Sequence, residues 1–371
     1  DVFEEGLFIP LVKLYERGEL NQAVLDMIRW NVRTPENVIG DIRSQTAANH
    51  VCAAQVQRML EEYRLDSLDD LADEIIARSE KSVRSAIEQV PDGVYRAEGV
   101  IEQMEGQKDI NIKAAVEIKG SDISVDLAGS SPQVSWGGNV VYNFTFAYVH
   151  MAIKSIFDPD IPNNHGSVAV IKLDAPEGSV VNCRFPAAVA ARMQIGHFMA
   201  EIIYRALAQA LPHRVIASSG GTPATMNVFY GTFNNGKPWH SVIIRGGGMG
   251  ASSGRDGENS YIFPANGANT PIEILEGDTP LIVERRELLI DSGGAGKFRG
   301  GLGTRTVFRI PDDEHAPQTP VSLGIQSGRF RLPPEGLAGG QAGSRAKFLV
   351  NGEQGNPYGL TKLHPGDIIV M

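Results

Sequence analysis

The sequence predicts a mixed α+β protein: an N-terminal α-rich module followed by a glycine-rich, β-dominated body that holds two buried helices. Three observations carry this reading. The apolar residues follow a helical period from Gly18 to about Val90, the period changes to a two-residue alternation after Pro91, and most of the surplus among the 41 glycines falls beyond Pro212. The glycine content exceeds the roughly 7% that is usual and follows no fixed repeat, so it reads as turns and bulges between short strands. The organisation expected is an α-helical module over 1–90, a mixed segment over 91–212, and a β-dominated segment over 213–371 continuous with it.

In the first module "GELNQAVLDMIRWNV" places Leu20, Val24, Met27 and Ile28 on one face of a helix. "RTPENVIGDI" offers Thr34 as N-cap with Pro35 at the first helical position, and "SLDDLADEII" offers Ser67 with Asp70 three residues on, close to a capping box. In the second segment Ile110, Ile112, Ala114, Val116 and Ile118 alternate, a Gly-Ser-Asp turn follows, and Ile123, Val125 and Leu127 alternate again. That pattern is an antiparallel hairpin. "NVVYNFTFAYVHMAIKSIF" and "AAVAARMQIGHFMAEIIYRALAQAL" are long and mostly apolar, hence buried helices. The last segment carries short β runs: "SVIIRG", "PLIVERRELLI", "GTRTVFRI", "PVSLGI", "AKFLV" and "DIIVM".

Composition excludes several classes. A net charge of −10 with scattered Lys and Arg disfavours a nucleic-acid partner, and no apolar run approaches the ~20 residues of a membrane span. Cys52 and Cys183 form no CxxC, suit a reducing cytoplasm, and read as small buried residues. Asp1 is not an initiator Met and the chain stops at "GDIIVM", so both ends read as cut from something longer.

The stretch "IIRGGGMGASSGRDGENS", Ile243 to Ser260, contains a glycine spacing that a loose search for a phosphate loop accepts. No Lys-Ser or Lys-Thr follows and no amphipathic helix begins after it, so neither dinucleotide nor Walker context is present. A structural loop and an anion cradle both remain open, because small residues leave backbone N–H groups free to approach an anion. The eight histidines form no HxxxH or HxH, and His150 and His197, inside apolar helices, read as hydrogen-bonded core residues. There is no GxSxG elbow: "ASSGGTPATM" reads as a loop before a strand, and the acidic run "EEYRLDSLDDLADE" as a solvated helix face.

Taken in order, "EEGLFIPLVKLYERGELN", "NVRTPENVIGDIRSQTAAN", "FDPDIPNNHGS", "APEGSVVNCRFPAAVA", "GGGMGASSGRDG", "NTPIEILE", "DSGGAGKFRGGLG" and "HPGD" resemble the hydantoinase B/oxoprolinase family over nearly the whole chain. The resemblance implies a B-type subunit of an ATP-dependent amidohydrolase acting on hydantoin, 5-oxoproline or another lactam. It further implies a hydantoinase A-type partner that binds ATP with Mg and phosphorylates the carbonyl oxygen, making that oxygen a good leaving group, while this chain processes the activated species. Two alternatives stand beside it: the core subunit of an ATP-dependent ketone carboxylase of the acetone or acetophenone type, and a structural or assembly module of such a complex. "AARMQIGHF", Ala190 to Phe198, stands where many lactam-cleaving members carry a "GGNVETS"-like stretch, which favours the ketone alternative.

With the resemblance included, the Gly248 to Gly257 loop is expected to line the site of the phosphorylated intermediate. Gly247, Gly248, Gly250 and Gly254 would admit close backbone approach, with Asn269 as a further candidate in the same site. Arg255 would hold an anionic oxygen bidentately, and Asp256 would orient Arg255 or a water. The family's metal-ligating residues lie ahead of "EEGL", so no metal ligand is assigned here; should ligands lie within the chain, His165, His197 and His240 are the first to mutate.

Overall fold

The computed structural model describes residues 1–103, 108–222, 226–267 and 269–371. Residues 223–225 of the "ASSGGTPATM" stretch lie outside these.

The chain opens with a short helix α1 (Val2–Glu5), a two-stranded ribbon β1 (Tyr15–Glu16) and β2 (Glu19–Leu20), and helices α2 (Gln22–Asn31), α3 (Pro35–Tyr63) and α4 (Asp69–Ile87). Pro35 begins α3 after Thr34, as read, but the Thr34 side chain makes no capping bond. Ser67 is not the cap of α4. The helix starts two residues later, and Ser67 Oγ instead accepts the Asp69 amide at 3.1 Å. The predicted face of α2 also needs correction: Leu25 is its one buried residue, and Met27 is exposed, because α2 packs on α3 alone rather than on a broad core. Cys52 is exposed, since α3 buries little beyond Ile39, and Cys183 is half-buried.

The first sheet is built from β3 (Gly93–Ile101), β4 (Ile110–Lys119), β5 (Asp122–Asp126) and, after α5 (Tyr142–Phe157) and α6 (His165–Ala169), β6 (Ile171–Asp174). The predicted hairpin is β4–β5, with Ile118 opposite Ile123 and Gly120 in the left-handed turn at φ 61°. β6 joins β5 in parallel, a crossover that the intervening helices make possible. Helix α7 (Met193–Leu207) lies against β3, β4 and α5. A Cβ at Gly99 of β3 would sit among Phe198 and Ile202, so the missing side chain is what lets α7 approach the sheet. Both long apolar helices are buried as read, although α7 starts only at Met193. The residues before it form a loop whose Val189 and Ala190 amides donate to the Glu5 carboxylate.

Beyond Pro212 lie β7 (Met226–Thr232), β8 (Pro238–Ile244), α8 (Ile272–Asp278), β9 (Ile282–Leu288), β10 (Thr304–Arg309), β11 (Val321–Gln326), β12 (Leu349–Val350), β13 (Glu353–Gln354), β14 (Leu360–Leu363) and β15 (Ile368–Val370). They form two sheets, ordered β14-β11-β7-β8 and β13-β12-β15-β10-β9. Phe229 of β7 and Phe308 of β10 meet between them with ring centroids 5.5 Å apart, in a second apolar cluster distinct from that around α7. Glycine-rich loops fill the space between the two cores. Among the described residues no helix is long and apolar enough to cross a membrane.

Candidate functional site

The polar anchor of the site is a stripe on a buried helix. Gln194, His197, Glu201 and Arg205 recur at helical spacing along α7, and the first three are buried. Glu201, 4% exposed, receives three donors: Ser218 Oγ at 2.7 Å and Arg205 Nη2 at 3.0 Å on Oε1, and Arg329 Nη2 at 2.5 Å on Oε2. Arg329 is 5% exposed and its guanidinium lies 5.9 Å from the Phe198 ring centroid. A buried charge of this kind is tolerated only when paired.

Arg329 occupies the left-handed region at φ 71°, a cost of about 1–3 kcal/mol for a side chain of its size. The following turn is what holds it there. The amides of Phe330, Arg331 and Leu332 all donate to the buried Glu102 carboxylate, at 2.6, 2.8 and 2.7 Å. Burial and then the Glu102 charge push the nearby Tyr358 hydroxyl well above the usual tyrosine range.

From α7 the chain passes to residues 217–220, which run beside the glycine loop. Ala217 N donates to Ala251 O at 3.0 Å, Gly220 N to Gly248 O at 2.8 Å, and Gly250 N to Ser219 Oγ at 3.0 Å. A second zipper joins this loop to 299–303: Gly301 N donates to Met249 O and Gly257 N to Arg299 O. Cβ atoms at Gly247, Gly248, Gly250 or Gly257 would collide with backbone of these facing strands. The glycines are there because main chain packs on main chain.

These loops enclose a cavity of about 690 Å³ whose walls come mainly from three stretches, Arg245 to Ser253, Ser292 to Arg305, and Pro334 to Lys347, completed by residues between Pro212 and Gly220 and by Arg329. Six basic side chains line it, those of Arg245, Lys297, Arg305, Arg329, Arg345 and Lys347, against one carboxylate, Glu335. Arg329 and Arg305 are paired with Glu201 and Glu287, while Lys297, Arg345 and Lys347 form no ion pair among the described residues, so the wall carries positive charge in a chain of net charge −10. Burial, and then the neighbouring Arg286, pulls the Arg245 pKa down to about 10.

The residues singled out in the sequence divide between wall and scaffold. Gly247, Gly248 and Gly250 line the cavity, while Gly254, Arg255 and Asp256 do not. Arg255 is 68% exposed and pairs with Glu258 at 3.7 Å. Asp256 Oδ1 accepts the Arg299 amide at 2.8 Å, and Asn269 Oδ1 accepts the Gly246 amide at 3.1 Å. Both are loop anchors in this geometry. His150 is hydrogen-bonded as expected, to Ser167 Oγ at 3.3 Å. His197 is not: neither ring nitrogen has a partner among the described residues, and burial lowers its pKa to about 4. Among the described residues no group of three or more His, Cys, Asp and Glu comes together as a metal site.

Sequence reasoning missed Glu201, Arg329 and Glu102. The polar stripe on α7 was a usable signal for the first. Arg329 lies 128 residues from Glu201, and nothing local marks it.

A body of this topology around a glycine-walled basic cavity defines a class, and comparison with known proteins supplies the family. The hydantoinase B/oxoprolinase family model matches residues 1–371, and the chain belongs to that family. It is 32% identical over 370 residues to the B-type subunit of a putative D-/L-hydantoinase from Pseudomonas sp. strain NS671, covering 96% of this chain and 61% of that protein. The crystal structure of the ATP-dependent caprolactamase of Pseudomonas jessenii superposes with a TM-score of 0.87 at 26% identity, over 100% of this chain and 66% of that one. An acetone carboxylase in its nucleotide-free state shares the fold at a TM-score of 0.83 and 17% identity, over 99% of this chain and 56% of that one. The chain thus spans about three fifths of the length of the hydantoinase relative above.

Proposed function

We propose that this chain is the B-type component of an ATP-dependent cyclic-amide hydrolase, opening hydantoin, 5-oxoproline or another lactam with an A-type partner that binds ATP and Mg. The observation that carries the reading is the cavity with six basic side chains against one acidic. A lactam is resonance-stabilised, and transfer of the γ-phosphoryl group of ATP to its oxygen removes that stabilisation. Water then adds to the carbon, the ring C–N bond breaks, and the nitrogen leaves as the amine. The acyl phosphate so formed is hydrolysed by a second water to carboxylate and inorganic phosphate. Each step develops or releases negative charge on phosphoryl oxygens, which fixed cations in a cavity stabilise best. The relative's ATP-dependent lactam chemistry supports this assignment. Arg329 is the side chain we assign to the phosphorylated species, with Glu201 and Glu102 positioning it. Arg255 and Asp256 are assigned indirect roles, Asp256 by anchoring the wall at Arg299.

The ketone-carboxylase reading is retained on the strength of Ala190 to Phe198, the segment where the sequence departs from many lactam-cleaving members. The test uses the chain assembled with its ATP-binding partner, assayed with hydantoins, 5-oxoproline and caprolactam, and separately with ketones plus bicarbonate. Arg329→Lys, which keeps the charge beside Glu201, is expected to lower ATP-coupled turnover roughly tenfold to a thousandfold, with Arg255→Ala near wild type. Wild-type turnover in Arg329→Lys sinks the assignment of Arg329. Activity confined to ketones replaces the hydrolase with the carboxylase. The chain without its partner is expected to show no ATPase activity.

A further inference from the structure

We propose that the loop from Ser292 to Phe298 is the phosphoryl-binding wall of the cavity. The inference deepens the function proposed above, resting on it only for the identity of the anion. Consecutive amides of Gly293, Gly294, Ala295, Gly296, Lys297 and Phe298 donate to no acceptor among the described residues. Two of the loop's carbonyls are used: Gly294 O accepts from Gly300 N at 3.0 Å, and Ala295 O from Gln341 N at 2.8 Å. All six residues line the cavity. A run of main-chain donors left unspent on a cavity wall is a set of partial positive charges available to an anion.

The loop is also held in shape. Ser292 Oγ donates to Leu289 O at 2.7 Å and accepts the Gly303 amide at 2.8 Å, fixing one end. Asp256 accepts the Arg299 amide and fixes the other. Gly293 and Gly294 cannot carry a Cβ without striking the carbonyls of Gly300 and Gln341. The cost of ordering a loop around a ligand is therefore already met in the fold.

Side chains supply the second, independent indication. Lys297, Arg345 and Lys347 line the same cavity, and none forms an ion pair among the described residues. The Lys297 ammonium lies 5.5 Å from the Phe298 ring centroid. Arg329, 5% exposed on the same cavity, keeps its Nε–H without an acceptor among the described residues although its Nη2 is spent on Glu201. A buried donor in that state points to an acceptor arriving with a ligand. Several amides, a lysine and a planar guanidinium on one cavity suit the three equatorial oxygens of a phosphoryl group better than the two oxygens of a carboxylate.

The experiment titrates the purified chain, without partner or substrate, with inorganic phosphate by isothermal titration calorimetry, and in parallel with acetate at the same ionic strength. Saturable phosphate binding is expected, weakened roughly tenfold or more in Lys297→Ala, as loss of one charge-assisted hydrogen bond commonly does. Lys297 is exposed, so the variant should melt with the wild type. Asp256→Ala, which removes the acceptor of the Arg299 amide and frees the far end of the loop, is expected to weaken phosphate as well. Absence of saturable binding, or phosphate binding unchanged in Lys297→Ala, overturns the proposal. Acetate binding as tightly as phosphate overturns the phosphoryl assignment. Because no turnover is measured, intact phosphate binding alongside an inactive complex would count against the hydrolase and not against the loop.

Discussion

His197 is the clearest case of a residue whose environment was hidden from the sequence. A histidine in an apolar helix reads as a core residue with a hydrogen bond, and His150 has one, but His197 sits beside the Tyr148 ring with both nitrogens unpartnered among the described residues. Burial holds its folded-state pKa near 4, below the ordinary 6.5. As pH falls from about 6.5 towards 4 the unfolded chain takes up a proton that the folded chain refuses. Stability is therefore lost across that window, by about 3 kcal/mol once both pKa values are passed. His197→Leu is expected to abolish most of this loss, and to be no less stable at pH 7, where a neutral unpaired imidazole gives way to an apolar side chain. Urea unfolding of both proteins at pH 7.5 and 4.5 measures it; an equal drop in the two rejects the account. The same limitation explains Arg329, whose partner Glu201 lies on a distant helix and whose following turn is held by the equally distant Glu102. A side chain that acquires its role only through long-range packing leaves no spacing to read.

At the scale of elements the sequence was most legible where period and partner coincide. The alternation over Ile110 to Leu127 became β4 and β5 because one face packs into the first core, β4 against α7 and β5 against α4, and the other does not. The α2 face failed because its apolar residues find only α3 to pack on, leaving Met27 and Trp30 outside. Glycines were legible as loops but not by kind, and the structure separates two kinds within one stretch. Gly248 abuts the Gly301 carbonyl, whereas Gly254 has nothing within 4 Å of a built Cβ. Gly248→Ala is expected to cost about 1–3 kcal/mol, as forced overpacking does. Gly254→Ala is expected to be neutral or stabilising by up to about 1 kcal/mol, through a less disordered unfolded state. Thermal melts of the two variants decide this, and equal effects would show that the loop does not pack main chain on main chain.

At the scale of the whole molecule the site exists because two apolar cores, one around α7 and one between the later sheets, are bolted together at a few polar points. Glu201 to Arg329 is one, Arg205 to Glu335 at 2.9 Å another, and the Glu102 fork a third. Glu102 follows β3 of the first core directly, and its two oxygens hold three successive amides of the turn that carries Arg329. Glu102→Gln replaces one acceptor oxygen by a donor that faces donors, stranding at least one buried amide at a cost of about 1–3 kcal/mol. The neighbouring Asp109 to Arg331 pair, at 2.6 Å, is partly exposed, and such pairs contribute only about 0–1 kcal/mol. Asp109→Asn is therefore expected to melt near the wild type. Glu102→Gln is expected to melt lower and over a broader range in scanning calorimetry, as the second core loosens from the first, and to lose turnover together with Arg329's placement. If Asp109→Asn costs as much as Glu102→Gln, or if Glu102→Gln melts as the wild type does, the cores are joined by some other contact and the left-handed Arg329 is held by something other than this carboxylate.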